Sequence, residues 1–383
     1  MVKAAYIHIP FCEHICYYCD FNKVYLKNQP VDEYIEALLT EVRRSDVYSY
    51  SLETIFIGGG TPTALSAEQL ERLLKGIQQV MHLDRLREFT IEVNPDSIDD
   101  EKLLVLKDFG VNRLSMGVQT FDEKLLKEIG RTHNRSSVHD AVERARALGF
   151  QNISLDLMFG LPKQEPEHFR QTLKEALALE IEHISAYSLK VEEKTIFFNR
   201  KRQGKLTLPP EEDEVEMYKD LRALTAKAQL AQYEISNFAK KGFESQHNLV
   251  YWNNEEYFGF GAGAHGYLNG VRYQNHGPIP KYLRAIEQGK IPIVSNHHVS
   301  KVEQIEEQMF LGLRKLEGVS KDEFRDKFGM SIHDCFSKQL HTLQSRGLLI
   351  ESVDRIQLTA EGLLLGNEVF EQFIAILEEQ SIN

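Results

Sequence analysis

Three cysteines lie together on one short stretch near the start of the chain. Cys12, Cys16 and Cys19 stand at the spacing Cys-x-x-x-Cys-x-x-Cys. A loop can turn three thiols toward one point, whereas a strand would alternate them between its two faces. Thiolates are the preferred ligands of iron–sulfur clusters. The spacing therefore predicts a [4Fe–4S] site in which the protein binds three irons and the fourth iron takes a ligand from outside the protein.

Two other kinds of site use part of the same pattern. Cys16-x-x-Cys19 alone is also the spacing of a redox dithiol, or of half a zinc site with His14 as a further ligand. A second Cys/His pair at zinc spacing is not evident in the sequence, and no thioredoxin-like pattern surrounds the loop. The remaining cysteine, Cys335, is alone and is interpreted as a thiol on a helix face. The sequence therefore favours the cluster over these two alternatives.

Composition limits the classes of protein that this chain can be. Its 383 residues suggest two or three domains, and 42% hydrophobic with 27% charged residues is ordinary for a globular protein with a buried core. A formal charge of −12 argues against a nucleic-acid partner, because phosphate-binding surfaces are normally basic. No leader-like segment or membrane-spanning apolar run is present. We therefore expect a cytoplasmic protein without a membrane span.

The first half of the chain alternates strands and helices, and these elements must position the cysteines. Strands are predicted at residues 4–9, 54–57, 88–93, 113–118, 153–158 and 183–189. Amphipathic helices are predicted between them, at 31–42, 66–77, 99–109, 138–148 and 167–179. Six strand–helix repeats favour parallel strands, either in a β/α barrel or in a doubly wound sheet.

Each of these strands has a polar or glycine feature at its carboxyl end. These features are the cysteine loop, Gly58 to Thr61, Glu92 with Asn94, Gln119, Asp156, and Tyr187 with Ser188. A barrel gathers the carboxyl ends of its strands on one face, where barrel active sites lie. Because six units close less fully than eight, the sequence predicts an open, partial (β/α)6 barrel of the TIM type.

Several residues at these strand ends are candidates for ligand contact. Gly59 and Gly60, followed by Thr61, would let the backbone approach a ligand closely. The alternative is a tight turn after the strand, which would rarely require three glycines in a row. Alternation along its strand directs Glu92 into the barrel, unless it is a solvated carboxylate at an edge. Asp156 interrupts an apolar run, where a buried carboxylate needs a partner such as a ligand hydroxyl or amine.

The second half of the chain is less regular. A helix is predicted at 211–229, followed by a glycine- and aromatic-rich region at 233–273 without clear periodicity, which we expect to be functional. Within it, Gly261-x-Gly263-x-x-Gly266 matches a dinucleotide fingerprint, but no amphipathic helix follows, so we interpret it as a flexible loop. From residue 302, three helices, a hairpin and a last helix resemble a winged-helix module, which is too acidic for DNA and suits a docking or lid domain. The predicted domains are 1–205, 206–300 and 301–383.

These motifs together resemble a known family. The cysteine loop resembles that of the radical S-adenosylmethionine (SAM) superfamily, in which SAM chelates the open iron through its amine and carboxylate. Residues 6–12, 58–63, 91–96, 114–121 and 156–164 resemble the oxygen-independent coproporphyrinogen III oxidase family, over nearly the whole chain. The resemblance implies SAM contacts at Tyr6, Tyr18, Gly59, Gly60, Thr61, Glu92, Gln119, Arg131 and Asp156.

Two branches of that family differ at positions visible in this sequence. The oxidase has a fourth cysteine two residues after the third and a longer N-terminal arm, whereas here Phe21 occupies that position and five residues precede Tyr6. Both features resemble the HemW branch, which the resemblance implies are haem chaperones. Residues 247–252 match that branch's His-Asn-x-x-Tyr-Trp haem motif, so His247 is a candidate haem ligand. The alternative is a core histidine, with Tyr251 and Trp252 packed under the barrel.

Two functions follow from the resemblance. The first is a haem chaperone that binds a [4Fe–4S] cluster, SAM and haem, and transfers haem to an acceptor protein. The second is an oxygen-independent coproporphyrinogen III oxidase that uses a 5′-deoxyadenosyl radical. Phe21, the short N-terminal arm and the His247 motif favour the chaperone, and whether the chain is an enzyme stays open.

Overall fold

The computed structural model describes residues 2–377. Strands β1 to β17 are, in chain order, Ala4–Ile9, Phe11–Cys12, Val24–Tyr25, Thr54–Gly59, Glu88–Val93, Arg113–Gln119, Ile153–Phe159, His183–Ser188, Ala231–Gln232, Asn237–Ala239, Tyr257–Phe260, His265–Leu268, Val271–Asn275, Ile293–His298, Val319–Ser320, Leu349–Glu351 and Arg355–Leu358. Helices α1 to α15 are Val31–Arg44, Ala67–Val80, Asp100–Asp108, Glu123–Glu128, Arg135–Ala147, Pro166–Ala178, Ile196–Arg202, Glu211–Lys227, Gln246–Trp252, Ile279–Glu287, Lys301–Gly312, Lys321–Phe328, Ile332–Ser345, Ala360–Leu364 and Gly366–Glu371. None of these helices is long and apolar enough to cross a membrane.

One large sheet organises the first three quarters of the chain. Twelve of the described strands form it, in the order β14-β13-β12-β11-β1-β4-β5-β6-β7-β8-β10-β9. Strands β1 and β4 to β8 are parallel and follow one another in chain order. In the described chain, β14 and β9 are the edges and the sheet does not close. The predicted open barrel is therefore confirmed, because a doubly wound sheet would reverse its strand order.

The two faces of the parallel strands differ in chemistry. One face is apolar and packs in the main core, with the fully buried residues Ile7, Ile55, Ile57, Phe89, Ile91, Leu114, Leu155 and Ile184. The alternate positions face the other way, as the period of a strand requires, and many of them are polar. Arg113 on β6 reaches His183 on β8, with 3.3 Å between Nη2 and Nδ1. This contact passes over β7, so the polar face is concave.

Local signals in the sequence determine where the helices begin. The N-terminus of α2 is capped by Ser66, whose hydroxyl accepts the Gln69 N–H while the Gln69 side chain accepts the Ser66 N–H. This reciprocal pair is the predicted capping box. The apolar stripe predicted for α1 is also confirmed, because Tyr34, Leu38 and Val42 are fully buried.

The region at 233–273 is more regular than expected. It contains β10 to β13 and α9, and β11 pairs in parallel with β1, placing Tyr257 opposite Ala4. The prediction of irregular structure was therefore wrong. These strands have three to five residues each, too few for a periodic pattern to be seen. β10 and β11 pair with the distant strands β8 and β1, and β12 and β13 then extend the sheet from β11.

The C-terminal part of the chain has its own core. Helices α11 to α15 surround a three-stranded sheet in the order β15-β17-β16. Its buried residues form a cluster separate from the main core: Ile305, Met309, Leu313, Val319, Phe324, Phe328, Ile332, Phe336, Leu340, Leu343, Leu348, Leu349, Ile356, Val369, Phe370 and Phe373. The predicted hairpin is present as β16 and β17, as in a winged-helix arrangement.

Candidate cluster and cofactor site

A cavity of about 460 Å³ opens at the carboxyl ends of the parallel strands. Eleven of the thirteen predicted site residues line it: Cys12, Cys16, Tyr18, Cys19, Gly59, Gly60, Thr61, Glu92, Gln119, Arg131 and Asp156. This size is typical of sites for small molecules. The structure therefore places the predicted cluster ligands and most of the predicted cofactor contacts around one space.

The cysteine loop is fixed by backbone hydrogen bonds at its start and between Cys16 and Cys19. Cys12 lies on β2, which pairs with β3, and its carbonyl accepts the Leu26 N–H at 2.8 Å. Tyr17 donates its N–H to the Ile129 carbonyl at 3.0 Å. The four cysteines are free thiols. Within residues 2–377, no three His, Cys, Asp or Glu side chains converge on a single metal ion; a cubane cluster instead binds each cysteine through a different iron.

Two neighbouring side chains act on the thiols. Burial raises the pKa of Cys12 to about 11, and the Thr61 hydroxyl, 3.7 Å from Sγ, opposes this rise. Arg131 Nη1 donates to Cys16 Sγ at 3.5 Å, so a cation lies beside this sulfur. Soft donors, shelter from water and an adjacent cation all fit an iron–sulfur cluster.

Arg131 is held by several groups of the cavity. Its Nη2 donates to Asn94 Oδ1 at 2.5 Å and to the Gly117 carbonyl. Its buried Nε–H has no hydrogen-bond partner among the described residues, although buried donors are normally paired. The Nε–H and one Nη1–H therefore remain for a ligand, and a bidentate contact to a carboxylate, as the resemblance implies, would also have to use an Nη2–H that the protein now occupies.

Two half-buried acids, Glu92 and Asp156, face the same cavity. Glu92 Oε2 accepts the Gly59 N–H at 2.9 Å, and burial raises the pKa of Glu92 to about 7. Asp156 accepts the Ser115 hydroxyl at 3.1 Å, and burial raises its pKa as well. The charge of Asp156 also raises the pKa of Glu92. Such a pair suits a ligand that brings a cationic amine and hydroxyl groups.

Gln119 has an unusual backbone at the end of β6. Its φ is +67°, in the left-handed region that is uncommon for residues other than glycine. The register between β6 and β7 shifts between Gly117 and Gln119, so the strand contains a bulge. Bulges redirect side chains, often beside binding sites. Here the bulge directs Gln119 into the cavity.

The glycine run at the end of β4 has a second role besides ligand contact. A Cβ at Gly59, whose φ is +114°, would lie 2.3 Å from His8 Cε1, and a Cβ at Gly60 would lie 2.7 Å from the Phe11 carbonyl oxygen. The protein itself therefore occupies part of the space that the missing side chains leave. Both glycines also line the cavity. Their position is therefore consistent with both explanations, close packing and ligand contact.

Tyr6 and His247 do not line the cavity. The Tyr6 hydroxyl is 2.9 Å from His8 Nδ1, and burial raises its pKa well above the usual value. His247 is fully buried, with Nδ1 2.9 Å from the Thr54 hydroxyl and Nε2 2.8 Å from the Tyr251 hydroxyl. Thr54 begins β4, at the end of the barrel opposite the cysteines. This placement matches the core-histidine alternative; the haem-ligand role stays a prediction.

Further residues on the concave face were not singled out by the sequence analysis. Ser115 and Lys190 line the cavity, and Ser185 hydrogen-bonds to Asp156. A signal for the serines was present, because Arg113, Ser115 and Gln119 alternate with apolar residues along one strand. Alternation of this kind marks a polar face along the whole strand, whereas the predicted site residues lie only at the strand ends.

Two family models and one solved structure agree with this fold. A model described as Radical SAM superfamily matches residues 6–176, and one described as HemN C-terminal domain matches residues 299–365. The solved coproporphyrinogen III oxidase (HemN) from Escherichia coli, described as a radical SAM enzyme, has a TM-score of 0.85 and 26% identity, covering 98% of this chain and 91% of that one. The fold and site therefore define a protein of the radical SAM superfamily, related to the oxygen-independent coproporphyrinogen III oxidases.

Three similar relatives show to which branch of the family the chain belongs. The protein named heme chaperone HemW from Bacillus subtilis (strain 168) is 52% identical over 379 residues, covering 98% of this chain and all of the relative. Proteins of the same name from Lactococcus lactis (strain IL1403) and Escherichia coli (strain K12) are 48% and 35% identical, each covering 97% of both chains. The chain belongs to the HemW family, as predicted from the sequence. Membership of the superfamily implies a [4Fe–4S] cluster and SAM as cofactors.

Proposed function

We propose that this protein is a haem chaperone that binds a [4Fe–4S] cluster, SAM and haem, and passes the haem to an acceptor protein. The observation that carries the proposal is similarity to heme chaperone HemW proteins along the full chain. The cysteine-lined cavity supports the part of the proposal that concerns the cluster and SAM. Haem here is cargo, whereas the cluster and SAM would be resident.

Each group in the cavity has a part in holding these cofactors. Cys12, Cys16 and Cys19 would bind three irons as thiolates, and Arg131 would donate to the sulfur of Cys16. A cluster held in this way supplies one open iron position for the amine and carboxylate of SAM. In their ionised forms Glu92 and Asp156 would accept hydrogen bonds from the amine and hydroxyl groups of the ligand, and the Gln119 amide would contribute a further donor and acceptor.

A second candidate function is the oxidation of coproporphyrinogen III. The fold similarity to the E. coli enzyme favours it, and Phe21, in place of the cysteine that the resemblance leads one to expect, argues against it. Because one fold can host several functions, an assay of the reaction must decide between the two candidates.

One anaerobic preparation tests both functions. Protein with its cluster reconstituted is titrated with haem, and a second aliquot receives coproporphyrinogen III, SAM and a reductant. We expect saturable haem binding and no protoporphyrinogen IX. Conversion of the substrate with consumption of SAM would contradict the chaperone proposal, as would the absence of haem binding.

A further inference from the structure

We propose that haem docks in the mouth of the cysteine-lined cavity, with its flat face against Phe21 and Tyr187 and its iron bound by His14. The inference rests on the proposed function, because it assumes that haem is the cargo. It assigns a binding place to that cargo that differs from the His-Asn-x-x-Tyr-Trp motif.

Two exposed aromatic rings line this cavity. Phe21 is 63% exposed and Tyr187 is 44% exposed, and both contribute to its lining. Large apolar side chains are normally exposed singly, and a group of them on a cavity indicates a binding surface. Met158 and Leu189, each 8% exposed, add apolar wall to the same space. A macrocycle that is flat and apolar fits a surface of this composition.

The two rings approach from different flanks of the sheet. Phe21 follows the cysteine loop after β1, and Tyr187 lies on β8, the last of the consecutive parallel strands. Phe197, on the segment that follows β8, donates its N–H to the Tyr17 carbonyl at 3.0 Å. The segment after β8 therefore lies near the cysteine loop. A planar ligand between the flanks can contact both rings.

His14 is the accessible imidazole on this cavity. It lies on the cysteine loop, is exposed and lines the cavity, and among the described residues neither of its ring nitrogens is hydrogen-bonded. His247 differs in each respect, because it is sealed and both of its nitrogens are engaged. Burial also lowers the pKa of His247 to about 3. A haem arriving from solvent therefore meets His14 without any rearrangement of the barrel.

The edge of the cavity also provides cations for the haem propionates. Lys23 and Lys190 both line it. Lys190 forms an ion pair with Glu192 at 2.9 Å, and both side chains are solvent-accessible. Such pairs contribute little energy, so Lys190 can exchange Glu192 for a propionate at small cost.

The test is a haem titration of full-length protein with its cluster reconstituted anaerobically. Affinity is followed by the Soret band, ligation by the position of that band and by electron paramagnetic resonance, and cluster content by iron and sulfide analysis. Phe21→Ala should weaken haem binding about tenfold, the size of effect expected for one stacked ring. Tyr25→Ala is the matched control: this ring is 57% exposed close to the same loop but does not line the cavity, and its affinity should stay within twofold.

Ligation is tested separately from stacking. His14→Ala should change the Soret position and the resonance signal, and added imidazole should restore both. Phe21→Trp should keep the affinity and Phe21→Leu should lose it, a comparison that stays valid even where Phe21→Ala loses the cluster.

Three results separate the possible failures. Unchanged affinity in both Phe21→Ala and Tyr187→Ala would overturn the docking site. A haem spectrum lost in His247→Ala but kept in His14→Ala would overturn the ligand and return it to the motif, and either result leaves the chaperone function standing. A wild-type protein that binds no haem would instead overturn the proposed function itself.

Discussion

At the scale of single residues, Glu92 connects burial with ligand binding. This residue is half-buried in the cavity, and its pKa is raised to about 7. The ionised form therefore increases from a minority at pH 6 to a majority at pH 8. A ligand amine binds the ionised form, so we expect the dissociation constant of SAM to fall by up to about tenfold over this range. Equilibrium dialysis on cluster-loaded protein measures it.

A second half-buried acid provides the control for this prediction. Burial raises the pKa of Glu41 to about 7 as well, but this residue accepts the Gly261 N–H and the Asn275 amide outside the cavity. Glu92→Gln should weaken SAM binding and flatten its pH dependence, whereas Glu41→Gln should leave both as in the wild type. Asp156 titrates in the same direction, so some slope will remain. An unaltered slope in Glu92→Gln would remove Glu92 from the ligand contacts.

Most of the site was predictable residue by residue because it follows local rules. The cysteine spacing, the glycine run and the polar residues at strand ends are visible in the sequence, and parallel strands bring their ends together. The surroundings of Tyr6 and His247 could not be predicted from such local patterns, because they include residues far along the chain. Thr54, which contacts His247, is 193 residues away. No local pattern reports such a contact.

At the scale of elements, α9 depends on a carboxylate from another strand. Glu88 on β5 accepts the N–H groups of Gln246 at 2.7 Å and His247 at 3.2 Å, and the Ser245 hydroxyl at 3.3 Å. The first N–H groups of a helix have no partner within it, and a negative charge at this end is favourable. Glu88 therefore holds the helix that carries the His-Asn-x-x-Tyr-Trp motif.

Removing this carboxylate should loosen α9. We expect Glu88→Ala to cost about 2 kcal/mol of unfolding free energy and to speed hydrogen exchange at residues 246–252, because two buried N–H groups lose their acceptor. Glu88→Gln keeps one carbonyl acceptor and should cost about half as much. Glu68→Ala, an exposed acid in the first turn of α2, should change stability by less than about 0.5 kcal/mol. Unchanged exchange at 246–252 in Glu88→Ala would show that α9 is held by packing alone.

The sequence predicted the long elements better than the short ones. The strand at 88–93 has the predicted bounds, and α2 begins after its capping serine, since in both cases the pattern covers several turns or pleats. Strands such as β11 and β12, with four residues each, carry no such pattern. β11 forms because β1 offers it an edge, and β12 pairs in turn with β11, so both strands depend on the assembled sheet.

At the scale of the whole molecule, the two cores meet next to α9. Arg314, just after α11, places its guanidinium carbon 4.2 Å from the centre of the Trp252 ring. Its Nη2 is 3.7 Å from Oε2 of Glu234, which is fully buried. Lys315 Nζ donates to Asn253 Oδ1 at 2.6 Å. The C-terminal part is therefore attached to the barrel at the C-terminal end of α9, largely through charged and aromatic groups.

The single tryptophan of the chain reports on this junction. Arg314→Ala uncovers the Trp252 ring and leaves the buried Glu234 carboxylate without its nearest cation. We therefore expect more acrylamide quenching, a red-shifted emission and a stability loss on the order of 2 kcal/mol. Arg314→Lys keeps the charge without the flat stacking surface, so its quenching, emission and stability should lie between those of the wild type and of Arg314→Ala. Arg325→Ala, which removes an exposed guanidinium paired with Asp322 in the same part of the chain, should leave the emission unchanged. If quenching in Arg314→Ala equals that of the wild type, this contact does not hold the two cores together, and the remaining contacts, among them Lys315 with Asn253, must carry the attachment.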